Sequence, residues 1–173
     1  MNEEPGFPPS LVLWSGNTEG SEGLRVRFHW HGDRYAHSII RVRPRETREE
    51  MFSIESASDA LWPSSPPLQQ ISVEPIGSGI AALAVGAAGR AYWSTSIVPV
   101  MFEGHSALQF DIAMRTQETP QVWGTEYRWT RGDQRIVPLP HLAPTEVQLS
   151  GDRLRVFPAS QSGPSYRWAY LIL

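Results

Sequence analysis

Hydrophobic and polar residues alternate along most of the chain with the period of two that is typical of β-strands. The clearest case is the segment 24–43, LRVRFHWHGDRYAHSIIRVR, in which two alternating runs meet at Gly32-Asp33. In the first run, apolar residues fall on one face and arginines and histidines on the other. The segment therefore predicts a β-hairpin with one face in the core.

Further runs of this kind predict strands along the rest of the chain. They lie at 11–14, 51–57, 69–76, 80–85, 90–98, 108–115, 126–130, 134–137, 147–150, 153–157 and 166–173. The run at 80–85 is continuously apolar, which predicts a strand buried on both sides. Three Gly-Asp dipeptides, at 32–33, 132–133 and 151–152, predict two-residue hairpin turns because glycine suits the first central position of a type II′ turn.

Three other segments are predicted to interrupt the strands. Residues 43–50, RPRETREE, are too charged to bury and predict a solvated loop or one helical turn. Glycines at 77–79 and at 86–89 predict two turns. Residues 62–67, WPSSPP, favour an extended conformation and predict a crossover between two sheets.

These patterns together predict an all-β fold. No segment shows a sustained helical period, and the chain contains 14 glycines and 15 prolines, which suit frequent turns. We expect a single-domain antiparallel β-sandwich of about ten short hairpin-connected strands, with a β-barrel as the alternative. Residues 1–10 are expected to form a disordered leader, and residues 11–173 the domain.

Composition narrows the range of partners. The net charge is -3, and basic residues are spread along the chain, so neither nucleic acid nor a membrane surface is an expected partner. The apolar run at 80–88 is shorter than the roughly 20 residues that span a bilayer. The start of the chain, MNEEPGFPPS, does not resemble a signal peptide. A soluble cytoplasmic protein is expected.

Two missing residue types exclude several chemistries. The chain has no cysteine, which excludes disulfides, thiolate nucleophiles and sulfur-ligated zinc. It has no lysine, since its 15 basic residues other than histidine are all arginine. Schiff-base chemistry and a phosphate-loop lysine are therefore impossible.

The hairpin at 24–43 allows two registers for its histidines. A two-residue turn at Gly32-Asp33 places His37 opposite Phe28 on the apolar face, apart from His29 and His31. A three-residue loop, 32–34, places all three imidazoles on one face. Turn chemistry favours the first register and hydrophobic matching favours the second, so both remain open.

The second register would create a metal site. Three neutral imidazoles on one sheet face, from His29, His31 and His37, could bind zinc or another divalent transition metal. A metal-binding protein or metalloenzyme is therefore one alternative function. In the first register no metal site forms, and no cofactor is expected.

Tryptophans provide a second alternative. Trp30, Trp93, Trp129 and Trp168 lie in alternating or apolar context and are expected to be mostly in the core. Trp62 and Trp123 lie in predicted loops, where exposed rings could stack on sugar faces. The second alternative is therefore a carbohydrate-binding module that uses Trp62 and Trp123.

No spacing of acidic and basic residues indicates a catalytic centre, so the sequence favours a protein without catalytic activity. We expect a binding protein that uses a sheet face rich in arginine and aromatic residues, with Arg25 and Arg27 as candidates. Its partner would be a protein or a small ligand. Unpaired edge strands also give a sandwich a route to homo-oligomers.

Overall fold

A computed structural model of the chain describes residues 11–16, 22–130 and 135–173. The predicted leader at 1–10 and the predicted turn at Gly132-Asp133 lie outside the described residues. Within them, no helix is present that is long and apolar enough to cross a membrane. The described residues form fourteen strands: β1 (Leu11–Ser15), β2 (Gly23–His31), β3 (Arg34–Arg43), β4 (Glu46–Ser53), β5 (Gln70–Ile76), β6 (Gly79–Ala88), β7 (Ala91–Phe102), β8 (His105–Arg115), β9 (Thr125–Trp129), β10 (Ile136–Pro138), β11 (Thr145–Ser150), β12 (Arg153–Pro158), β13 (Gln161–Ser162) and β14 (Ser165–Ile172).

The strands form two antiparallel sheets that pack face to face, so the predicted β-sandwich is confirmed. The first sheet has the order β1-β2-β3-β4-β9-β12-β11. The second has the order β10-β14-β8-β7-β6-β5, and β13 pairs with β14. The proline-rich segment at 62–67 lies between β4 of the first sheet and β5 of the second, as the predicted crossover requires.

Glycine turns set the register of the hairpins. The two central turn residues are Gly77-Ser78 between β5 and β6, Gly89-Arg90 between β6 and β7, and Gly151-Asp152 between β11 and β12. The first glycine of each turn has a positive φ, as a type II′ turn requires. Between β7 and β8, Glu103 and Gly104 both have positive φ, which matches a type I′ turn.

The main core lies between the two sheets and contains two hydrogen-bonded links from one sheet to the other. The hydroxyl groups of Tyr127 on β9 and Tyr170 on β14 are 2.7 Å apart. The indole Nε1 of Trp168 donates to Thr125 Oγ1 at 3.1 Å. All four residues are buried, so these polar groups are satisfied inside the core by each other.

Three predictions about individual segments were wrong. The charged segment at 43–50 is largely strand, because β4 begins at Glu46 and its charges are paired; buried Glu50, for example, accepts from Arg41 Nε at 3.2 Å. Strand β6 is not buried on both sides, since Leu83 and Val85 on its outer face are 37% and 48% exposed. Gly86 lies within β6 rather than in a turn.

Gly86 is a glycine because the backbone of the crossover segment passes directly over it. A Cβ atom built at Gly86 would lie 1.5 Å from the carbonyl oxygen of Pro67. The equivalent atom at Gly79, at the other end of β6, has its nearest neighbour at 3.8 Å. Close packing against β6 therefore fixes the crossover immediately before β5.

Gly86→Ala should destabilise the fold by about 3 kcal/mol, because rigid backbone must move to admit the methyl group. Gly79→Ala is the matched control on the same strand and should change the free energy of unfolding by less than about 0.5 kcal/mol. Urea unfolding followed by tryptophan fluorescence measures both. Equal values for the two variants would contradict the close approach at Gly86.

Candidate functional site

The structure contains the first of the two hairpin registers. His31 pairs with Arg34 and Phe28 pairs with His37, so Gly32-Asp33 is a two-residue turn. Gly32 has a φ of 77°, which suits the first central position of a type II′ turn. Turn chemistry therefore prevails over the alternative hydrophobic matching, and the three histidines are divided between the two faces of the sheet.

His37 belongs to the core. Its Nε2 lies 3.0 Å from the hydroxyl of Tyr127, and its ring stacks against Phe110 with centroids 5.9 Å apart. Burial lowers the pKa of His37 to about 3, so the imidazole is neutral at physiological pH. His29 and His31 lie on the opposite, exposed face. The described residues contain no group of three histidines or carboxylates able to hold a metal ion, so the predicted three-histidine site does not form there.

The two candidate arginines of the hairpin interact with residues of the same chain. The guanidinium carbon of Arg25 lies 4.9 Å from the centroid of the Trp14 ring, a cation–π geometry. Arg27 forms a salt bridge with Glu49, which also accepts a hydrogen bond of 2.7 Å from the Ser38 hydroxyl. These interactions organise the outer face of the first sheet.

Neither candidate tryptophan is a fully exposed ring. Trp62 and Trp123 are half-buried and pack against the main core. Trp123 is also held by Arg155, whose Nη2 donates to the Trp123 carbonyl at 2.7 Å. The most exposed large aromatic side chain among the described residues is instead Tyr92 on β7, at 66%.

A broad open depression lies on the outer face of the second sheet. It is a groove of about 680 Å³ that crosses β5, β6, β7, β8 and β14. The strand register arranges its outward-facing side chains in two adjacent rows, the first across four strands and the second across all five. The first row is Ser72, Leu83, Ser96 and Asp111, and the second is Gln70, Val85, Ser94, Ala113 and Arg167. Ala169, which continues the first row on β14, is buried and lies outside the groove.

The groove follows from the sizes of these side chains. Its centre is formed by the small residues Ser94, Ser96 and Ala113. On one side stand the branched aliphatic side chains of Leu83 and Val85 on β6. On the other side Arg167 and Asp111 stand above β14 and β8. With neighbouring strands about 4.8 Å apart, the lining of the groove, including these flanking side chains, extends about 19 Å across the five strands.

Arg167 and Asp111 form a bidentate ion pair at one end of the groove. Arg167 Nε donates to Asp111 Oδ1 at 2.9 Å, and Arg167 Nη2 donates to Asp111 Oδ2 at 2.6 Å. The carboxylate beside it raises the pKa of Arg167. Two parallel hydrogen bonds fix the planes of both groups, which gives this end of the groove a defined shape.

Within the described residues, the other exposed polar side chains of the groove have no hydrogen-bond partner. Ser72, Ser94, Ser96 and Gln70 make no side-chain hydrogen bond within the part of the chain that the structure describes. Exposed beside them are Leu83 and Val85. The groove thus combines free hydrogen-bonding groups with apolar surface, a combination that binding sites commonly show.

A second, smaller depression extends the groove towards Tyr92. It shares Gln70 and Val85 with the groove and is also lined by Ala87 and Tyr92. Tyr92 lies in the next cross-strand row, between Ala87 and Arg115. The exposed phenol ring therefore forms a side wall for any ligand that occupies both depressions.

The opposite end of the same sheet face is covered by the chain itself. Leu139 and Ala143 pack on Ala107, Ala169 and Leu171 in a second apolar cluster. The amide of Leu139 donates to the carbonyl of Ala169 at 2.9 Å, which attaches this cover to β14. The open groove begins where this cover stops.

This groove is not predicted by any single segment of the sequence, although part of its signal is present there. Ser94 and Ser96 alternate with buried Trp93, Thr95 and Ile97, which marks a solvent-facing side of β7. The two-residue turns at Gly77-Ser78, Gly89-Arg90 and Glu103-Gly104 then align β5 to β8. The contribution of Arg167 from distant β14 had no local signal.

A separate buried polar cluster lies at the turn of the hairpin formed by β2 and β3. Arg34 is 1% exposed and donates to Asp33 through Nε and Nη2 at 2.9 and 2.8 Å, whereas its Nη1 has no partner among the described residues. Glu55 accepts a hydrogen bond from the Ser53 hydroxyl at 2.7 Å, but its buried Oε2 has no hydrogen-bond partner among the described residues. Burial raises the pKa of Glu55 to about 7.

The raised pKa of Glu55 predicts a pH-dependent stability. Because the folded protein holds this proton up to about pH 7 and the unfolded chain releases it near 4.5, stability should fall as pH rises between these values. Glu55→Gln removes the effect. The difference in the free energy of unfolding between the variant and the original protein should change by up to about 3 kcal/mol in favour of the variant as the pH rises from 4 to 8.

Urea unfolding of both proteins across this pH range measures that difference. Buried His37, with a pKa lowered to about 3, contributes an opposite slope at acidic pH, and this contribution cancels because both proteins contain it. A constant difference from pH 4 to pH 8 would show that Glu55 titrates normally.

Comparisons with known proteins identified no relative. No protein-family model matches the chain, and neither a curated protein nor a solved structure was found to be similar to it. The function proposed below therefore rests on the residues of the groove and their contacts.

Proposed function

We propose that the chain is a binding protein without catalytic activity, whose extended ligand lies across the outer face of the second sheet. The observation that carries this proposal is the pair of cross-strand rows that form the groove. They bring unpaired hydroxyl and amide groups next to exposed aliphatic side chains over about 19 Å. A ligand there would form hydrogen bonds with the hydroxyl and amide groups and would cover the aliphatic side chains.

The charged groups of the groove support binding rather than catalysis. Asp111 and Arg167 are the charged residues in its lining, and they are engaged with each other in two hydrogen bonds. General acid–base catalysis requires a group that is free to exchange a proton with the substrate. The paired side chains instead act as a rigid, neutral edge that orients a ligand.

The location differs from the sheet face expected from the sequence. Arg25 and Arg27 on the first sheet are engaged by Trp14 and Glu49, whereas Arg167 and Tyr92 flank an open groove. The proposal thus keeps the expected type of surface, one with arginine and aromatic residues. It moves that surface to the second sheet.

An NMR titration tests the proposal. Protein labelled with ¹⁵N is titrated separately with three kinds of extended probe: neutral hexasaccharides, an uncharged blocked decapeptide of threonine and glutamine, and decanoate. At least one probe should shift the amide signals of Ser72, Leu83, Ser94 and Ser96 in a saturable way. If none of the three does so, the proposal is overturned.

A variant with a bulky side chain in the groove tests where the ligand binds. Ser94→Trp places a large ring on the groove floor and should weaken the binding of the active probe by about tenfold or more, a loss of 1.4 kcal/mol. The matched control is Gln148→Trp on exposed strand β11 of the first sheet, which should bind within about twofold of the original protein. Equal affinities for the two variants would place the ligand outside the groove.

A further inference from the structure

We infer that the ligand of the groove is a neutral oligosaccharide of four or five sugar units. This inference rests on the proposed function and names the ligand class for the same site. It depends on the charge of the groove lining, on the type and spacing of its free polar groups, and on the apolar surface beside them.

The charge of the lining favours an uncharged ligand. Asp111 and Arg167 neutralise each other, and the depression beside Tyr92 has no charged lining residue. A charged ligand would lose hydration without meeting an unpaired opposite charge, which is unfavourable. Arg115 lies one row away, beside Tyr92, so a sulfated sugar is the appropriate competing probe.

The free polar groups match hydroxyl groups. Each serine hydroxyl of Ser72, Ser94 and Ser96 can both donate and accept a hydrogen bond, and the amide of Gln70 offers both functions. Sugar hydroxyls have the same dual character. An extended peptide would instead need to satisfy a regular series of backbone donors and acceptors, which sheet edges provide and side chains crossing a sheet do not.

The spacing of the groove also matches a chain of sugars. The rows cross five strands at intervals of about 4.8 Å, which is comparable to the length of one pyranose unit. Strands β5 to β8 can therefore contribute one side chain of each row to one unit, and β14 contributes Arg167 of the second row. A linear oligosaccharide lying across the strands would meet this repeat in register, with four or five units over the whole groove.

Apolar surface supplies the remaining contact. Leu83 and Val85 are 37% and 48% exposed, and the Tyr92 ring next to Val85 is 66% exposed. Pyranose rings present C–H groups on their faces, and these pack well against aromatic and aliphatic surfaces. Tyr92 is thus assigned as the stacking residue that flanks the middle of the site from the neighbouring row, with Arg167 and Asp111 at the β14 end.

A defined panel tests the ligand class by calorimetry and by the amide shifts described above. The panel consists of hexasaccharides of β-1,4-linked glucose, xylose and mannose, α-1,4-linked glucose and β-1,3-linked glucose, with the disaccharides and a sulfated heparin hexasaccharide as comparators. At least one neutral hexasaccharide should bind in the groove about tenfold or more tightly than its disaccharide. Its Kd should change less than about twofold between 0.15 and 0.5 M salt, because no ion pair forms.

Two variants on one strand locate the stacking contact. Tyr92→Ala should weaken binding of the active hexasaccharide by about tenfold. Met101→Ala, which removes a 59% exposed side chain from the other end of β7, should leave the affinity within about twofold. If both variants bind equally well, the assignment of Tyr92 is wrong.

The outcomes separate this inference from the proposed function. If no neutral hexasaccharide binds in the groove but the peptide or decanoate does, the ligand class is wrong and the binding function stands. Tighter, strongly salt-dependent binding of the heparin hexasaccharide would also overturn the neutral ligand class. If no probe binds in the groove, both proposals fail.

Discussion

The polar links through the core are the constraint on which the rest of the fold depends. His37, Tyr127 and Tyr170 form a buried hydrogen-bonded chain with distances of 3.0 and 2.7 Å, and Trp168 adds a second link to Thr125. A hydrophobic core tolerates small shifts between sheets, but a buried hydroxyl that loses its partner costs about 1–3 kcal/mol. These links therefore specify one position of the second sheet over the first.

That position determines the groove. Trp168 and Tyr170 point into the core from β14, so the alternation of the strand sends Arg167 and Ala169 to the outer face. A shift of β14 by one residue would reverse both sets and leave Arg167 in the core. The ion pair with Asp111 is thus a consequence of the inter-sheet links. The same register of β14 determines both which side chains enter the core and which line the groove.

Sequence alternation is sufficient for the fold class, and together with turn chemistry it predicts the hairpin at 24–43. It fails where the partner of a residue lies on another strand or in another segment. Glu50 looks incompatible with a buried strand until Arg41, on the neighbouring strand, is placed beside it. Gly86 looks like a turn residue until Pro67 is found against its backbone. The first contact joins the two strands of the β3–β4 hairpin and the second joins strand β6 to the crossover, and the alternation within a single segment encodes neither. The groove cannot be predicted from one segment either, because its second row combines residues from five strands.

The two ends of the outer face of the second sheet differ in what covers their apolar side chains. At the end near Leu171, the chain covers its own apolar side chains with Leu139 and Ala143. At the other end, Leu83 and Val85 remain exposed, although each buried square ångström of apolar surface would gain about 25 cal/mol. An extension of the same cover over the groove would gain that energy but would also bury the unpaired hydroxyls of Ser94 and Ser96, at about 1–3 kcal/mol for each one left unsatisfied. The proposed ligand, apolar beside β6 and hydrogen-bonding over β7, would satisfy both conditions, and no segment of the chain covers the groove in the part that the structure describes.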